Sequence, residues 1–147
     1  MDDPREEIFA FSLNGHLSEI NVLSDKLQYC RKRFYINAGD FHDINLVLEE
    51  WFTNLVRYGL ANDKETEIRI EIKNGKTELD ITVTDEGQYF DPRDVRLPDL
   101  KNSLDKRSPG GIGLHLIFNL MDTLSYQRVE NKNILHMKKM KSTHGSS

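Results

Sequence analysis

The residue with the most unusual setting in this sequence is a carboxylate at the end of an apolar alternation. Leu79, Ile81 and Val83 alternate with polar residues, as in a strand with one buried face. Asp85 occupies the next position of that buried series. If the strand reaches it, the carboxylate lies at the core, where it needs a hydrogen-bond donor such as a ligand amine. If the strand ends earlier, Asp85 caps a turn, and the pattern leaves both interpretations open.

A second group of polar residues lies on a predicted helix. Glu50 and Asn54 are four residues apart, so they stack on one side of that helix. Their side is the flank of the apolar stripe, next to Val47, whereas helical geometry turns the neighbouring Glu49 towards solvent. Solvated helix flanks have the same appearance, so the pair alone is also compatible with a surface position.

The third group is a glycine cluster, Gly110-Gly111-Ile112-Gly113, at the start of another predicted helix. Backbone N–H groups at a helix N-terminus attract anions, and glycines allow a phosphate to approach the backbone closely. The same glycines could simply end a loop. The two common nucleotide fingerprints are absent from the sequence, namely GxxxxGK[ST] and a GxGxxG that opens a helix after a strand.

These residues need a scaffold, and hydrophobic periodicity predicts one of the order β-α-α-β-β-lid-α-β-β. The predicted helices cover about 17–34, 40–58 and 113–123, and the predicted strands cover 8–13, 66–73, 79–84, 124–129 and 134–140. Asn74-Gly75 is typical of a two-residue hairpin turn, and a second turn is predicted at 130–133. Strands and helices do not alternate strictly. The prediction is therefore an α+β two-layer sandwich, with helices on one face of a mixed, mostly antiparallel sheet.

The stretch at about 89–109 breaks these patterns, since it holds three of the four prolines and many charges. Long loops without regular structure are uncommon inside a compact domain and are often functional, so this stretch is predicted to be a lid. The polar ends, about 1–7 and 141–147, are predicted to fray. Cys30 lies on the apolar stripe of the first helix and is interpreted as a buried structural thiol.

Composition sets limits on the class of protein. The chain has 147 residues, which predicts a single domain over 1–147. Its net charge of −4 argues against nucleic-acid binding, because such proteins carry a basic face. The single cysteine excludes an intrachain disulfide and favours a reducing cytoplasm. No apolar run approaches the ~18 residues of a membrane span, and the acidic start, MDDPREEIF, is unlike a signal peptide.

In this order and spacing, the three groups resemble the motifs of the GHKL ATPases. The pattern is Glu-x-x-x-Asn on a helix, Asp-x-Gly after a strand, and Gly-x-Gly opening a helix after a lid. More closely, the chain resembles the stand-alone anti-sigma-factor serine kinases of the RsbW and SpoIIAB type. The segments that carry this similarity are EEWFTNLVRYG (49–59), DEGQYFDP (85–92), GGIGLHLIFNLMDTLSYQR (110–128) and NILHMKK (133–139).

The resemblance implies the GHKL (Bergerat) fold, with ATP or ADP bound together with Mg²⁺. The implied nucleotide contacts are a hydrogen bond from the adenine amino group to Asp85, adenine against the backbone at Gly87, and phosphates at Gly110, Gly111 and Gly113. Asn54 would ligate Mg²⁺, and Glu50 would be the general base on the acceptor hydroxyl. Arg107 is the candidate lid cation, with a solvated loop charge as the alternative.

The implied function is that of an anti-sigma regulatory kinase, which binds a sigma factor and phosphorylates a serine on an anti-anti-sigma (STAS-domain) partner. Relatives commonly dimerise, and neither a membrane nor a nucleic acid is an expected partner. Three alternatives are a non-catalytic ATP-binding partner-switching module, the ATP domain of a histidine kinase, and a structural α+β domain. The chain departs from the family at Tyr89 and Tyr58, where many relatives have glycine and histidine.

Overall fold

The computed structural model describes residues 7–60, 63, 65–94 and 119–142 of the protein. Predicted features outside these ranges are Arg107, Gly110, Gly111, Gly113 and most of the lid and of the third helix. Asn119 and Leu120 are helical, and a strand begins at Thr123. The third helix therefore ends before Thr123, slightly earlier than the periodicity indicated.

In the described part of the chain, two α-helices pack on one face of a five-stranded sheet. The elements are β1 (Glu7–Leu13), α1 (Ile20–Phe34), α2 (Ala38–Asn54), β2 (Ile68–Asn74), β3 (Glu78–Asp85), β4 (Thr123–Val129) and β5 (Lys132–Met140), with 3₁₀ turns at Leu17–Glu19 and Pro92–Asp94. The sheet order is β1-β2-β3-β5-β4, and each pair of described neighbours is antiparallel. The predicted α+β sandwich is confirmed. No helix within the described ranges is both long and apolar enough to cross a membrane.

Both helices form because their apolar residues recur on one face. The buried stripe comprises Leu23, Leu27, Cys30 and Phe34 on α1 and Ile44, Val47, Leu48 and Trp51 on α2. These are the stripes that the periodicity predicts. At the start of α2, the Asn37 side chain accepts a hydrogen bond from the backbone N–H of Asp40 at 2.8 Å. At the end of α1, Tyr35 has a left-handed φ of 54°.

The core lies between these stripes and the inner face of the sheet. The inner positions of β2, β3 and β5 are almost fully buried and include Ile68, Ile70, Ile72, Leu79, Ile81, Val83, Leu135 and Met137. Burial also raises the pKa of the Cys30 thiol to about 12. A thiol that stays protonated at neutral pH is unreactive, in agreement with the structural role predicted for Cys30.

Both hairpin turns differ from their predictions. The β2–β3 connection spans 75–77, because Asn74 remains within β2. The predicted two-residue turn is wrong, since such a turn favours left-handed backbone and Asn74 does not have it. The β4–β5 connection, predicted at 130–133, is a shorter, two-residue turn, because β5 already begins at Lys132. Its residues Glu130 and Asn131 have φ angles of 51° and 67°.

The ordered structure extends further towards both ends of the chain than predicted, because residues 7, 141 and 142 were expected to fray. Glu7 is already the first residue of β1. At the other end, the Asp40 carboxylate accepts hydrogen bonds from the backbone N–H and the hydroxyl of Ser142, at 2.9 and 2.7 Å. Asp40 is 3% exposed and lies in the first turn of α2, so it holds Lys141 and Ser142 against that helix.

Asp40→Ala is expected to destabilise the fold, because the Ser142 N–H and the Asn37 amide lose their acceptor. A donor that loses its partner costs about 1–3 kcal/mol, so the free energy of unfolding should fall by at least about 1 kcal/mol. Urea denaturation measures the change. The control is Asp25→Ala, on the exposed face of α1, which should change the free energy by less than about 0.5 kcal/mol. Equal effects would contradict the anchoring role of Asp40.

Candidate functional site

Asp85 is the last residue of β3, and its side chain is only 2% exposed. Its Oδ1 accepts a hydrogen bond from the backbone N–H of Gly87 at 2.8 Å, which closes a turn. The same oxygen accepts a second hydrogen bond from Nδ2 of Asn133, on β5, at 3.0 Å. Both interpretations of the sequence therefore hold: the carboxylate lies at the core side of the strand, and it also caps a turn.

The surroundings of this carboxylate disfavour its ionised form. Burial raises the pKa of Asp85 above its ordinary value of 3.8, against the lowering effect of the Asn133 and Gly87 hydrogen bonds and of the Arg128 charge. Both hydrogen bonds that described residues donate to Asp85 end at Oδ1. Oδ2 is thereby left to accept from a further donor, such as the amino group of a ligand.

A π-helical turn, Leu55–Gly59, joins the end of α2 to the loop that follows β3. The carbonyl of Gly59 accepts a hydrogen bond from the backbone N–H of Gln88 at 3.1 Å. The carbonyl of Tyr58 accepts another from the Gln88 side chain at 2.9 Å. A Cβ atom on Gly87 would lie 2.4 Å from the Gly59 oxygen, so glycine at position 87 allows the two segments to approach this closely.

An aromatic pair fixes the same loop against α2. The ring of Phe90 stacks on Trp51, with centroids 5.4 Å apart and an interplanar angle of 21°. Next along the chain, the buried carboxylate of Asp91 accepts hydrogen bonds from Arg93, including Nη2 to Oδ2 at 2.8 Å. These contacts hold the first residues of the lid predicted at 89–109. The remainder of the predicted lid, from residue 95, lies outside the described residues.

Asn54 is 4% exposed, and only one end of its amide is paired. Nδ2 donates to the backbone carbonyl of Glu50 at 2.7 Å, which fixes the orientation of the side chain. Oδ1 is buried and accepts no hydrogen bond from the described residues. A buried oxygen without a partner is unfavourable unless something binds it, and Mg²⁺ takes oxygen ligands while keeping several waters. The residue at this position therefore fits a magnesium ligand.

Glu50 lies one helical turn before Asn54 and is half-buried. Its carboxylate forms no hydrogen bond or ion pair with the described residues, so it is open to an incoming group. The expectation that Glu49 faces solvent is wrong. Glu49 is half-buried as well, and its carboxylate accepts a hydrogen bond from Asn45 at 3.4 Å. Glu49 and Glu50 therefore differ in their hydrogen-bond partners, although both are half-buried.

The site residues predicted from the sequence do not include Asn133, which is 2% exposed. Its amide contacts the Asp85 carboxylate, the carbonyl of Gln88, and the side chains of Arg128 and Tyr126. The signal that could have found it is the alternation of Leu135 and Met137, which puts Asn133 at an inward position of β5. In register it lies directly opposite Asp85.

Comparison with models of known families matches residues 16–139 to the histidine kinase-like ATPase domain. The chain belongs to this family. The matched range contains both α-helices as well as Asp85 and Asn133. This match confirms the resemblance to the GHKL ATPases that the three sequence motifs indicated.

Curated relatives of this ATPase domain are named protein kinases. It is 32% identical over 92 residues to the serine/threonine-protein kinase BtrW of Bordetella bronchiseptica, an alignment that covers 63% of this chain and 65% of the relative. It is 31% identical over 113 residues to the serine-protein kinase RsbW of Bacillus subtilis, with 74% and 70% covered. The chain thus spans about two thirds of the length of these relatives. The resemblance to RsbW-type proteins is confirmed.

Solved structures agree on the fold of this ATPase domain. The RsbU and RsbW domains of Rv1364c from Mycobacterium tuberculosis match with a TM-score of 0.65 and 14% identity, over 92% of this chain and 32% of that one. A blue-light activated histidine kinase of Erythrobacter litoralis matches with a TM-score of 0.53 and 16% identity, over 76% and 34%. At such identities the likeness concerns the fold alone.

Gly87→Ala is expected to push the loop after β3 away from α2, because the added Cβ would lie 2.4 Å from the Gly59 oxygen. Overpacking of this kind lowers the free energy of unfolding by about 1–3 kcal/mol. Thermal or urea unfolding measures the loss. Gly39→Ala is the control, since its Cβ would meet Asn37 Oδ1 at an ordinary 3.7 Å. If the two variants are equally stable, the close approach at Gly87 is not a constraint.

Asp85→Asn is expected to change how stability depends on pH. Because the pKa of Asp85 is raised above 3.8 in the folded state, folding favours the protonated carboxyl. The contribution of Asp85 to stability therefore becomes less favourable as the pH rises from 3.8 through the raised pKa. The variant keeps an oxygen for Gly87 and Asn133 and should lose this dependence. Urea unfolding of both proteins across this range measures it, and parallel pH profiles would contradict it.

Proposed function

We propose that the protein is an ATP-dependent protein serine kinase that acts as an anti-sigma factor. The observation that carries the proposal is the buried Oδ1 of Asn54, which accepts no hydrogen bond from the described residues and lies on the same helix as the Glu50 carboxylate, one turn away. A cation ligand and a proton acceptor on one helix are what phosphoryl transfer to a hydroxyl needs. The names of the curated relatives, which are serine-protein kinases, support this activity.

Each candidate site residue has one role, in binding the nucleotide, holding the cation or transferring a proton. Asp85 accepts a hydrogen bond from the adenine amino group at Oδ2, and Gly87 presents its backbone to the base. Asn54 holds Mg²⁺ through Oδ1, and the bound cation supplies charge neutralisation at the phosphates. Glu50 takes the proton from the acceptor hydroxyl as general base. The proposed phosphate contacts are those outside the described residues: Arg107, Gly110, Gly111 and Gly113.

The proposed partners are a sigma factor and a STAS-domain anti-anti-sigma protein, whose serine hydroxyl is the acceptor. Phosphorylation of the STAS partner would release it and leave this protein free to hold the sigma factor. These partners follow from the resemblance to RsbW-type proteins, as does a homodimer. A reducing, cytoplasmic setting belongs to the same proposal and is supported by the single, buried Cys30.

Glu50→Gln is expected to keep the fold and ATP binding but to lose phosphoryl transfer. Glutamine has the shape of glutamate and can still hydrogen-bond, but it cannot take up the hydroxyl proton. General-base catalysis contributes about 10²–10⁴-fold, so the rate should fall by at least about a hundredfold. The measurement is transfer of labelled phosphate from MgATP to the serine of STAS-domain proteins from the same genome.

Glu49→Gln is the matched control for this experiment. It removes a neighbouring, equally half-buried carboxylate whose partner is Asn45, and it should retain the wild-type rate. Loss of activity in both variants would point to a general effect of charge, and full activity of Glu50→Gln would exclude Glu50 as the base. A wild-type protein that binds ATP and phosphorylates no STAS partner would favour the non-catalytic partner-switching module.

A further inference from the structure

Every hydrogen-bonding position of the Asn133 amide is used. Nδ2 donates to Oδ1 of Asp85 at 3.0 Å and to the carbonyl of Gln88 at 2.8 Å. Oδ1 of Asn133 accepts from Arg128 Nη1 at 3.0 Å and from the hydroxyl of Tyr126. An asparagine amide offers two donors and two acceptor positions, so this buried side chain is fully satisfied.

The orientation of the amide is fixed by groups other than Asp85. A guanidinium can only donate and a backbone carbonyl can only accept, so Arg128 and Gln88 together permit one orientation. The opposite orientation would set the Nδ2 donors against Arg128 and the Oδ1 acceptor against the Gln88 carbonyl. Asn133 therefore presents a donor to Asp85 whether or not a ligand is present.

This arrangement restricts how Asp85 can accept further hydrogen bonds. Oδ1 already receives two of them, from the Gly87 backbone and from Asn133, at 2.8 and 3.0 Å. An ionised carboxylate oxygen has about two lone-pair positions, so Oδ1 is saturated. Oδ2 receives none from the described residues. Asp85 thus behaves as an acceptor with one open oxygen, although a free carboxylate can accept through both.

We propose that Asn133 determines the nucleobase specificity of the site, because its occupation of Oδ1 of Asp85 leaves one acceptor atom for the base. Adenine fits such an acceptor, since its 6-amino group is the single donor next to the N1 acceptor. Guanine presents two adjacent donors, N1–H and the 2-amino group, which require both carboxylate oxygens. Asn133 is in this sense a positioning residue that acts through Asp85. The inference rests on the proposed nucleotide binding and adds its selectivity.

Nucleotide titrations by calorimetry test this inference, with MgATP and MgGTP as the probes. The quantity measured is the ratio of the two dissociation constants, which a uniform loss of stability or affinity would leave unchanged. Asn133→Ala frees a lone pair on Oδ1 and should lower the preference for ATP by about tenfold or more, the effect of about one buried hydrogen bond. Gln127→Ala, at an exposed position of β4, is the control and should keep the wild-type ratio.

A second pair of variants leaves Asn133 in place and changes Arg128, one of the two groups that orient it. Arg128→Met takes away a donor from the amide oxygen and should also lower the preference for ATP, whereas Arg128→Lys keeps a donor and should preserve it. This pair decides the question if Asn133→Ala does not fold, as judged by circular dichroism.

The outcomes separate this inference from the proposed function. If the wild type prefers MgATP and the folded Asn133→Ala and Arg128→Met variants keep the same ratio, the inference is overturned and nucleotide binding stands. If the wild type binds neither nucleotide, both the proposed function and this inference are overturned. A lowered ratio in the variants, with the control unchanged, supports the inference.

Discussion

The close approach of Gly87 to the carbonyl of Gly59 is the constraint on which the arrangement of the site depends. It brings the C-terminal end of α2, where Glu50 lies one turn before Asn54, against the loop that follows Asp85. Any side chain at position 87 would separate the helix from the loop, because its Cβ would overlap the carbonyl oxygen. The helix with Glu50 and Asn54 and the strand with Asp85 are thus held together by backbone contacts between the segments that follow them.

The polar groups that result are unfavourable for the protein by itself. Asp85 is a desolvated carboxylate with a raised pKa, and Asn54 has a buried oxygen without a partner in the described part of the chain. Ile68, directly opposite Asp85 in the sheet, is apolar and fully buried, so the same environment could hold an apolar residue at position 85. A binding site requires such a local loss of folding stability, because polar groups that are not satisfied within the protein are available to a ligand.

Much of the fold could be predicted because its signals are local. The stripe of α2 that ends at Trp51 and the alternation that ends at Asp85 follow from periods of 3.6 and 2. The Asn74-Gly75 turn could not be predicted correctly, since the dipeptide has a strong local preference that the longer connection overrides. The pairing of Asn133 with Asp85 joins residues 48 positions apart, so it depends on strand order, which periodicity does not contain.

The burial of individual side chains was the least predictable property of the site. Helical geometry separates Glu49 from Glu50 by 100°, yet both are half-buried, because the contact with Asn45 is set by side-chain conformation. The beginning of the lid was equally hidden. Phe90 has the polar, proline-containing surroundings of a loop, but its ring stacks on Trp51, whose position depends on how α2 packs.

Among the strands of the described residues, β4 lies at the edge of the sheet and has β5 as its one neighbour. Edge strands open locally more often than central ones, and each opening of β4 withdraws Arg128 and Tyr126 from the Asn133 amide. A ligand that needs Asp85 in its oriented state binds only the closed form, so by mass action its occupancy keeps β4 closed. The exchange rate of amide protons along β4 therefore becomes a gauge of occupancy at Asp85, although no residue of β4 has to touch the ligand.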